Sequence, residues 1–381
     1  MRIGIDARLW NETGVGRYIR NLVWQLQIID KKNEYVLFVK KGFNKKELVS
    51  PAGRLGSTAA NFRLVETTIH WHSLTEQLKF PQLLYKENLD LMHFPYFSIP
   101  ILYNRPFIIT IHDLIIDHFP TGKASTLPYP VYYLKQLGYK FVINQAARKA
   151  QKVITVSEAT KKEIVQHLPV SNDKVVVTYE GVTSASSHAI EKQSHKRLDN
   201  YFLYVGNAYP HKNLERLIDT FALLRTEYPD MKLVMVGKKN YFYDRLVEKV
   251  EDMQLQETVI FTGGIDDAEL FSLYRHAEAF IFPSLMEGFG LPGLEAMKSG
   301  CLVLASDIPV FKEMYADAAV YFNPLAVDSM HATIRKVLEN KKAFEKQTQQ
   351  GLQLVKTFSW EKMANETISI YESSAGIRSS Q

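Results

Sequence analysis

Glu287 and Glu295 are the two residues best placed to do chemistry. They lie in the stretch SLMEGFGLPGLEAMKSG, Ser284 to Gly300, with seven residues between them. The interval holds Gly288, Phe289 and Gly290, then Leu291 and Pro292. Pro292 suits the first position of a helix, where its missing N–H costs nothing. A glycine turn running into a helix start offers backbone N–H donors and the positive end of the helix dipole to an anion. Glycine also lets a ligand come close to the backbone. Glu295 falls in the first helical turn, its side chain leaning back toward the N-terminus, where it can accept hydrogen bonds from a ribose. Glu287 then faces the other end of the same ligand. Either Glu alone is explained by ordinary structure, Glu295 by the helix dipole. The two together, at this spacing, describe a site for an activated sugar held by its diphosphate and hydroxyl groups.

Three more candidates follow apolar, strand-like runs. Lys212, in VGNAYPHKNLERL, precedes a helix that Asn213 is placed to cap. A lysine at a helix start is electrostatically odd unless an anion sits there, so Lys212 reads as a phosphate contact and His211 as a solvated neighbour. His112 ends PFIITIH and is followed by Asp113. A histidine at the end of a central strand can orient or polarise a hydroxyl, although a lone His is commonly a satisfied core residue. Gly14-Val15-Gly16 opens a helix after the first strand. It lacks the full GxGxxG and an acidic residue at the next strand end, so a dinucleotide site is disfavoured. No GxxxxGK[ST] and no Cys/His cluster with zinc spacing is present. Asp266-Asp267 reads as a helix cap, not a metal site.

The elements that must position these residues alternate. RIGIDARL (2–9) reads as a strand, followed by a loop and an amphipathic helix from about Arg17 to Ile29. YVLFVK, FRLVET, LDLMHF, PFIITIH, KVITVS and VVVTYEGV continue as strands, with helices around Leu74–Tyr85, after Pro130, and after a Ser157 N-cap. A second series starts at YFLYVGN (201–207) and ends at VYFNP, with helical patterns over 328–356 and a last helix in FSWEKMANETISIYESS. Strands alternating with helices predict α/β architecture, parallel sheets with helices on both faces. Ligands of such sheets lie outside the carboxyl ends of the strands. The polar, aperiodic stretch 184–200 reads as a linker. The expected division is 1–183 plus about 358–381 as one Rossmann-like domain, and 201–357 as the other.

Composition bounds the rest. At 381 residues, 46% hydrophobic and 23% charged, the chain suits a two-domain globular enzyme. No apolar run reaches the ~18 residues of a spanning helix. The start reads as a strand rather than a signal peptide. The single cysteine, Cys301, begins an apolar strand and reads as buried filler in a reducing cytosol. Net charge is +5, concentrated at the front: residues 1–183 hold 24 basic and 15 acidic side chains. A basic first half is compatible with an anionic membrane surface or a phosphorylated acceptor. The basic residues are scattered, which argues against nucleic acid. The tyrosine- and lysine-rich segment 119–150 reads as a helix packed on the sheet or as an acceptor-side or membrane-touching surface.

These motifs resemble the retaining glycosyltransferases of family 4, with the GT-B fold of two Rossmann-like doubly wound domains facing a central cleft. The resemblance runs nearly end to end. It is carried by GIDARLWNETGVGRYIRNL, TIHDL, KVITVSEATKKEI, YVGNAYPHKNLERLIDTF, VIFTGGIDDAELFSLYRHAEAFIFPSLMEGFGLPGLEAMKSG and VLASDIPVFKEM. The opening DARL…TGVGRY is similar to the bacterial mannosyltransferase-like branch acting on surface polysaccharides or lipid-linked saccharides.

The resemblance implies roles. Glu287 would bind donor-sugar hydroxyls and stabilise oxocarbenium charge. Gly288, Phe289, Gly290 and Leu291 would offer backbone donors, and Glu295 would hold the ribose. Lys212 would neutralise the leaving diphosphate in place of a metal, so no cofactor is expected. Ile265 would sit by the base. His112 would contact the sugar or position the acceptor, and Gly14 and Gly16 would let the first-domain loop reach across the cleft. The last helix would cross back to the first domain. Two departures stand out: Asn207 and His211 occupy the region where an Arg is common, and Glu180 stands where Asn is commoner. The expectation is hexose transfer, with mannose from GDP-mannose as donor and a glycan or lipid-linked saccharide as acceptor. The enzyme would be cytoplasmic, either free or peripheral at the inner face of the cell membrane. The alternatives are a GT-B epimerase or hydrolase, or an idle sugar-nucleotide-binding module.

Overall fold

The computed structural model describes residues 1–49, 59–119, 129–182 and 199–375. The chain divides into two units: Met1–Leu114 with Leu127–Gly181 and Ser359–Gln381, and Ile115–Thr126 with Val182–Phe358. Most of the expected linker, residues 184–198, lies outside the described residues.

The first unit is built on seven parallel strands in the order β3-β2-β1-β4-β5-β6-β7. These are β1 (Arg2–Asp6), β2 (Glu34–Lys40), β3 (Phe62–Thr67), β4 (Leu91–Phe94), β5 (Phe107–Ile111), β6 (Val153–Thr155) and β7 (Val175–Val177). Its helices are α1 (Gly14–Ile29), α2 (Leu74–Lys86), α4 (Tyr129–Lys149), α5 (Glu158–His167) and the last, α13 (Trp360–Ala375). The short α3 (Ile115–His118) clusters with the second unit. All of β4 and β5 is buried. That is why their sequences read as mainly apolar runs, with the polar His93 and Thr110 bonded to each other inside: helices cover both faces of the sheet. Ser157 caps α5 as expected, its hydroxyl accepting from the Thr160 N–H at 3.1 Å.

Two expected boundaries move. The first strand ends at Asp6, not Leu9, because Asp6 accepts from the Arg8 backbone N–H and from its guanidinium and turns the chain. VVVTYEGV forms strand only over its three valines. Beyond them Gly181 lies against the start of α13, where a Cβ would meet the Trp360 nitrogen at 2.1 Å.

The second unit carries six parallel strands ordered β10-β9-β8-β11-β12-β13. They are β8 (Tyr201–Val205), β9 (Lys232–Val236), β10 (Val259–Gly263), β11 (Phe280–Phe282), β12 (Val303–Ser306) and β13 (Ala319–Phe322). Its helices include α6 (Leu214–Glu227), α7 (Tyr241–Asp252), α8 (Asp267–His276), α9 (Leu291–Lys298), α10 (Pro309–Tyr315), α11 (Val327–Glu339) and α12 (Glu345–Leu354). Asp266 caps α8 through the Glu269 N–H, as read from the sequence. In both sheets strand order reverses beside the first strand, between β1 and β4 and between β8 and β11, which makes each unit doubly wound with its own switch point. No helix among the described residues is long and apolar enough to cross a membrane.

Candidate functional site

The second unit's switch point gathers most of the predicted residues. Lys212 leaves the loop after β8, and Glu287 the loop after β11. Lys212 Nζ lies 2.5 Å from Glu287 Oε1, and the Ser284 hydroxyl donates to the same oxygen at 2.7 Å. Both charged side chains are largely enclosed, at 12% and 10% exposure. The charge of Glu287 reaches buried Tyr204 and Tyr315, whose hydroxyls are held protonated by burial first and by that carboxylate second. The site therefore carries one cation and one carboxylate side by side, a net-neutral pair in a poorly solvated setting where charge interactions are strong.

Gly290 ends the glycine turn at φ +101°, a left-handed conformation that L side chains adopt only with strain. The turn lets α9 start at Leu291, so Pro292 is second in the helix and Glu295 lies just past the first turn. Each is one position further into the helix than the sequence predicts. Glu295 is buried, and its charge acts on Lys298 and, weakly, on Tyr315. Phe289 is buried edge-on against Phe358, so its ring is taken up by packing. Gly288 is buried and Leu291 half-buried.

Asn213 does more than the sequence suggested, and differently. It occupies the N-cap position of α6 at φ 61° but makes no side-chain cap bond. Its buried carboxamide donates instead to the carbonyls of Pro283 (3.1 Å) and Pro324 (2.7 Å) and accepts from Arg216 (2.7 Å). Asn tolerates the left-handed region better than most residues. One side chain thus joins the loops after β8, β11 and β13. His211 is also not merely solvated. Its carbonyl accepts from the Leu285 N–H at 2.8 Å, and its ring stacks with Tyr209. Burial, and then the Lys212 charge, push its imidazole down to about 4. The backbone of Asn207 accepts from the Tyr204 hydroxyl at 2.7 Å, while its own side-chain oxygen is enclosed without a partner. Ile265 follows β10 at the sheet's edge, half-buried and two strands from β8.

Ser284 and Tyr315 escaped the sequence reading. The Tyr315 hydroxyl donates to the Gly290 carbonyl at 2.6 Å and fills the space beside Gly293, where a Cβ would meet it at 2.3 Å. Proximity to Glu287 was the available signal for Ser284. Nothing local pointed to Tyr315.

The remaining candidates belong to the first unit. His112 Nε2 lies 3.1 Å from the Pro95 carbonyl, and Nδ1 lies 3.4 Å from Glu180 Oε1. Tyr18 meets the ring edge-on. Both nitrogens face protein acceptors, so His112 ties together the chain after β4, β5 and β7. Gly16 has a packing reason for its type: a Cβ would meet the Trp10 and Leu9 carbonyls at 2.5 and 2.7 Å. Gly14, now the first residue of α1, has open space around it.

With this geometry in place, comparison with known proteins is direct. The family description Glycosyltransferase Family 4 matches residues 13–185, and Glycosyl transferases group 1 matches 187–353. The chain belongs to glycosyltransferase family 4. It is a transferase enzyme. The O-antigen chain mannosyltransferase RfbU of Salmonella typhimurium is 31% identical over 70% of this chain and 69% of its own. O-antigen chain mannosyltransferase B of Escherichia coli is 28% identical over 94% and 96%. Among solved structures, a sucrose-phosphate synthase from Thermosynechococcus elongatus superposes with TM-score 0.75 at 17% identity, covering 98% of both chains. Anabaena HepE in complex with UDP and glucose gives 0.73 at 16%, over 98% and 99%. The fold of this family-4 enzyme is therefore GT-B.

Proposed function

We propose that the enzyme transfers mannose from GDP-mannose, with retention of configuration, to a hydroxyl of a saccharide in cell-surface polysaccharide assembly. The Lys212–Glu287 pair beside the start of α9 carries this reading. The O-antigen mannosyltransferases similar to this chain supply the sugar and the setting. In the reaction the bond from the anomeric carbon to the diphosphate breaks, and a bond from that carbon to the acceptor oxygen forms. The acceptor proton leaves with the diphosphate. Lys212 and the N–H groups opening α9 take the charge of the departing diphosphate. Glu287 holds sugar hydroxyls and steadies positive charge at the anomeric carbon. Glu295 takes the ribose hydroxyls.

The test compares wild type with Glu287→Gln in steady-state transfer from a panel of GDP-, UDP- and dTDP-sugars to mannose-terminated oligosaccharides. GDP-mannose should be preferred, and the variant should lose about 10²–10³-fold in kcat while remaining folded. Transfer at the wild-type rate by Glu287→Gln overturns the assigned chemistry. Release of free mannose with no transfer by the wild type overturns the transferase role.

A further inference from the structure

The first unit holds an arrangement that the chemistry above does not use. The chain after β3 carries Trp71 and His72, and the chain after β4 carries Tyr96 and Phe97. Their rings form one cluster. His72 stacks on Tyr96 at 26° with centroids 5.8 Å apart, and Trp71 meets His72 edge-on at 4.5 Å. Phe97, buried beneath, contacts Tyr96 at 4.1 Å and Tyr139 of α4 at 4.8 Å. His72 is exposed, while Trp71 and Tyr96 are half-buried.

Both chain segments are clamped from below by buried charge. His72 sits at φ 57°, a left-handed conformation that strains a non-glycine residue. Its N–H is held by Glu76 Oε2 at 2.8 Å. Glu76 is fully buried, accepts from Ser98 and is paired with Arg8 at 2.5 Å, which also pairs with Asp6 at 2.6 Å. On the other side, the Pro95 carbonyl next to Tyr96 is held by His112. Burying an Arg between two carboxylates is a costly way to stabilise a core. Strain kept in place by such a network is characteristic of a ligand-binding surface. The clamp lies at the carboxyl edge of the sheet, beside the β1–β4 switch point.

We propose that the rings of Trp71, His72 and Tyr96 form the subsite for the acceptor's terminal pyranose. The inference rests on the transferase reading. A pyranose presents a flat face of C–H groups that packs on aromatic rings, with its hydroxyls left at the rim. Asp6, Arg8 and Glu76 below are turned inward and paired with one another, so the rings carry the contact with the saccharide.

Mannotriose titrated into the full-length enzyme should shift its tryptophan emission, since Trp71 is a half-exposed reporter. Trp71→Leu should abolish the shift and raise the acceptor KM ~10-fold, leaving kcat and donor KM within about twofold. Tyr96→Ala, a second and independent variant, should raise the acceptor KM in the same way. The proposal is overturned by an unchanged acceptor KM in both variants, by no emission response of the wild type to mannotriose, or by the same response to GDP alone. Wild-type failure to transfer to any saccharide counts against the transferase reading instead. Normal transfer with unchanged acceptor KM counts against this subsite alone.

Discussion

Asn213 shows how much can rest on one amide. Its two proline carbonyl partners are buried with it, and each needs a donor. Asn213→Ala removes both donors and places a Cβ-bearing residue without a local hydrogen bond at φ 61°. Urea denaturation should show a loss of about 2–4 kcal/mol. Asn213→Gly, which accepts the backbone conformation, should recover part of it. Asn213→Asp sets a carboxylate against two carbonyl oxygens and should be worse than Gly. Equal midpoints for the three variants would show that the amide bonds contribute nothing. This residue was visible in the sequence, but its work was not. A cap is a local signal, whereas its partners lie 70 and 111 positions away. The Arg8–Glu76 pair, 68 positions apart, was hidden for the same reason. Glu287 and Glu295 stood out because residue type and a seven-residue interval are local features, whereas the meeting of Lys212 with Glu287, 75 positions away, has no local signal.

At the scale of elements, the head of α9 is shaped by α10. Tyr315 closes the space beside Gly290 and Gly293. Gly293→Ala should therefore cost about 1–3 kcal/mol through overpacking. Tyr315→Phe in the same chain removes the hydroxyl that the new methyl meets and should restore part of the loss. Gly290→Ala carries backbone strain at φ +101° as well and should gain less from the same second change. Thermal melts of the four variants decide this; equal rescue of both glycine variants would rule out the strain argument. Strands were the most legible elements, since parallel sheets covered on both faces leave continuous apolar runs. Their ends were less so. β1 stops where Asp6 folds back onto Arg8, and β7 stops where Gly181 meets α13, contacts that no local pattern records.

At the scale of the whole molecule, buried histidines make stability depend on pH. His93 hydrogen-bonds Tyr371 through Nδ1 and Thr110 through Nε2, both at 2.8 Å. Burial first, then the charge of His112, push its imidazole down to about 3. An unfolded histidine titrates near ~6.5. Below that pH the unfolded chain binds a proton that the folded chain refuses. Stability present above ~6.5 is therefore lost as pH falls toward 3, at about 1.4 kcal/mol per pH unit for this group. His211 contributes with the same sign. His93→Gln should flatten the dependence by about one proton when urea unfolding is compared at pH 7 and pH 5. An unchanged slope would mean that His93 does not stay neutral.

The Tyr371 that holds His93 belongs to α13, at the far end of the chain from β4. The first unit is thus assembled from segments that flank the second in sequence, whereas nearly all of the second comes from one continuous stretch. During synthesis domains generally mature in the order they emerge. Here the order inverts. The second unit has its residues in hand once Phe358 has emerged, while the first still waits for α13, so a nascent chain with α13 still inside the ribosome would carry a finished second unit attached to an unfinished first one.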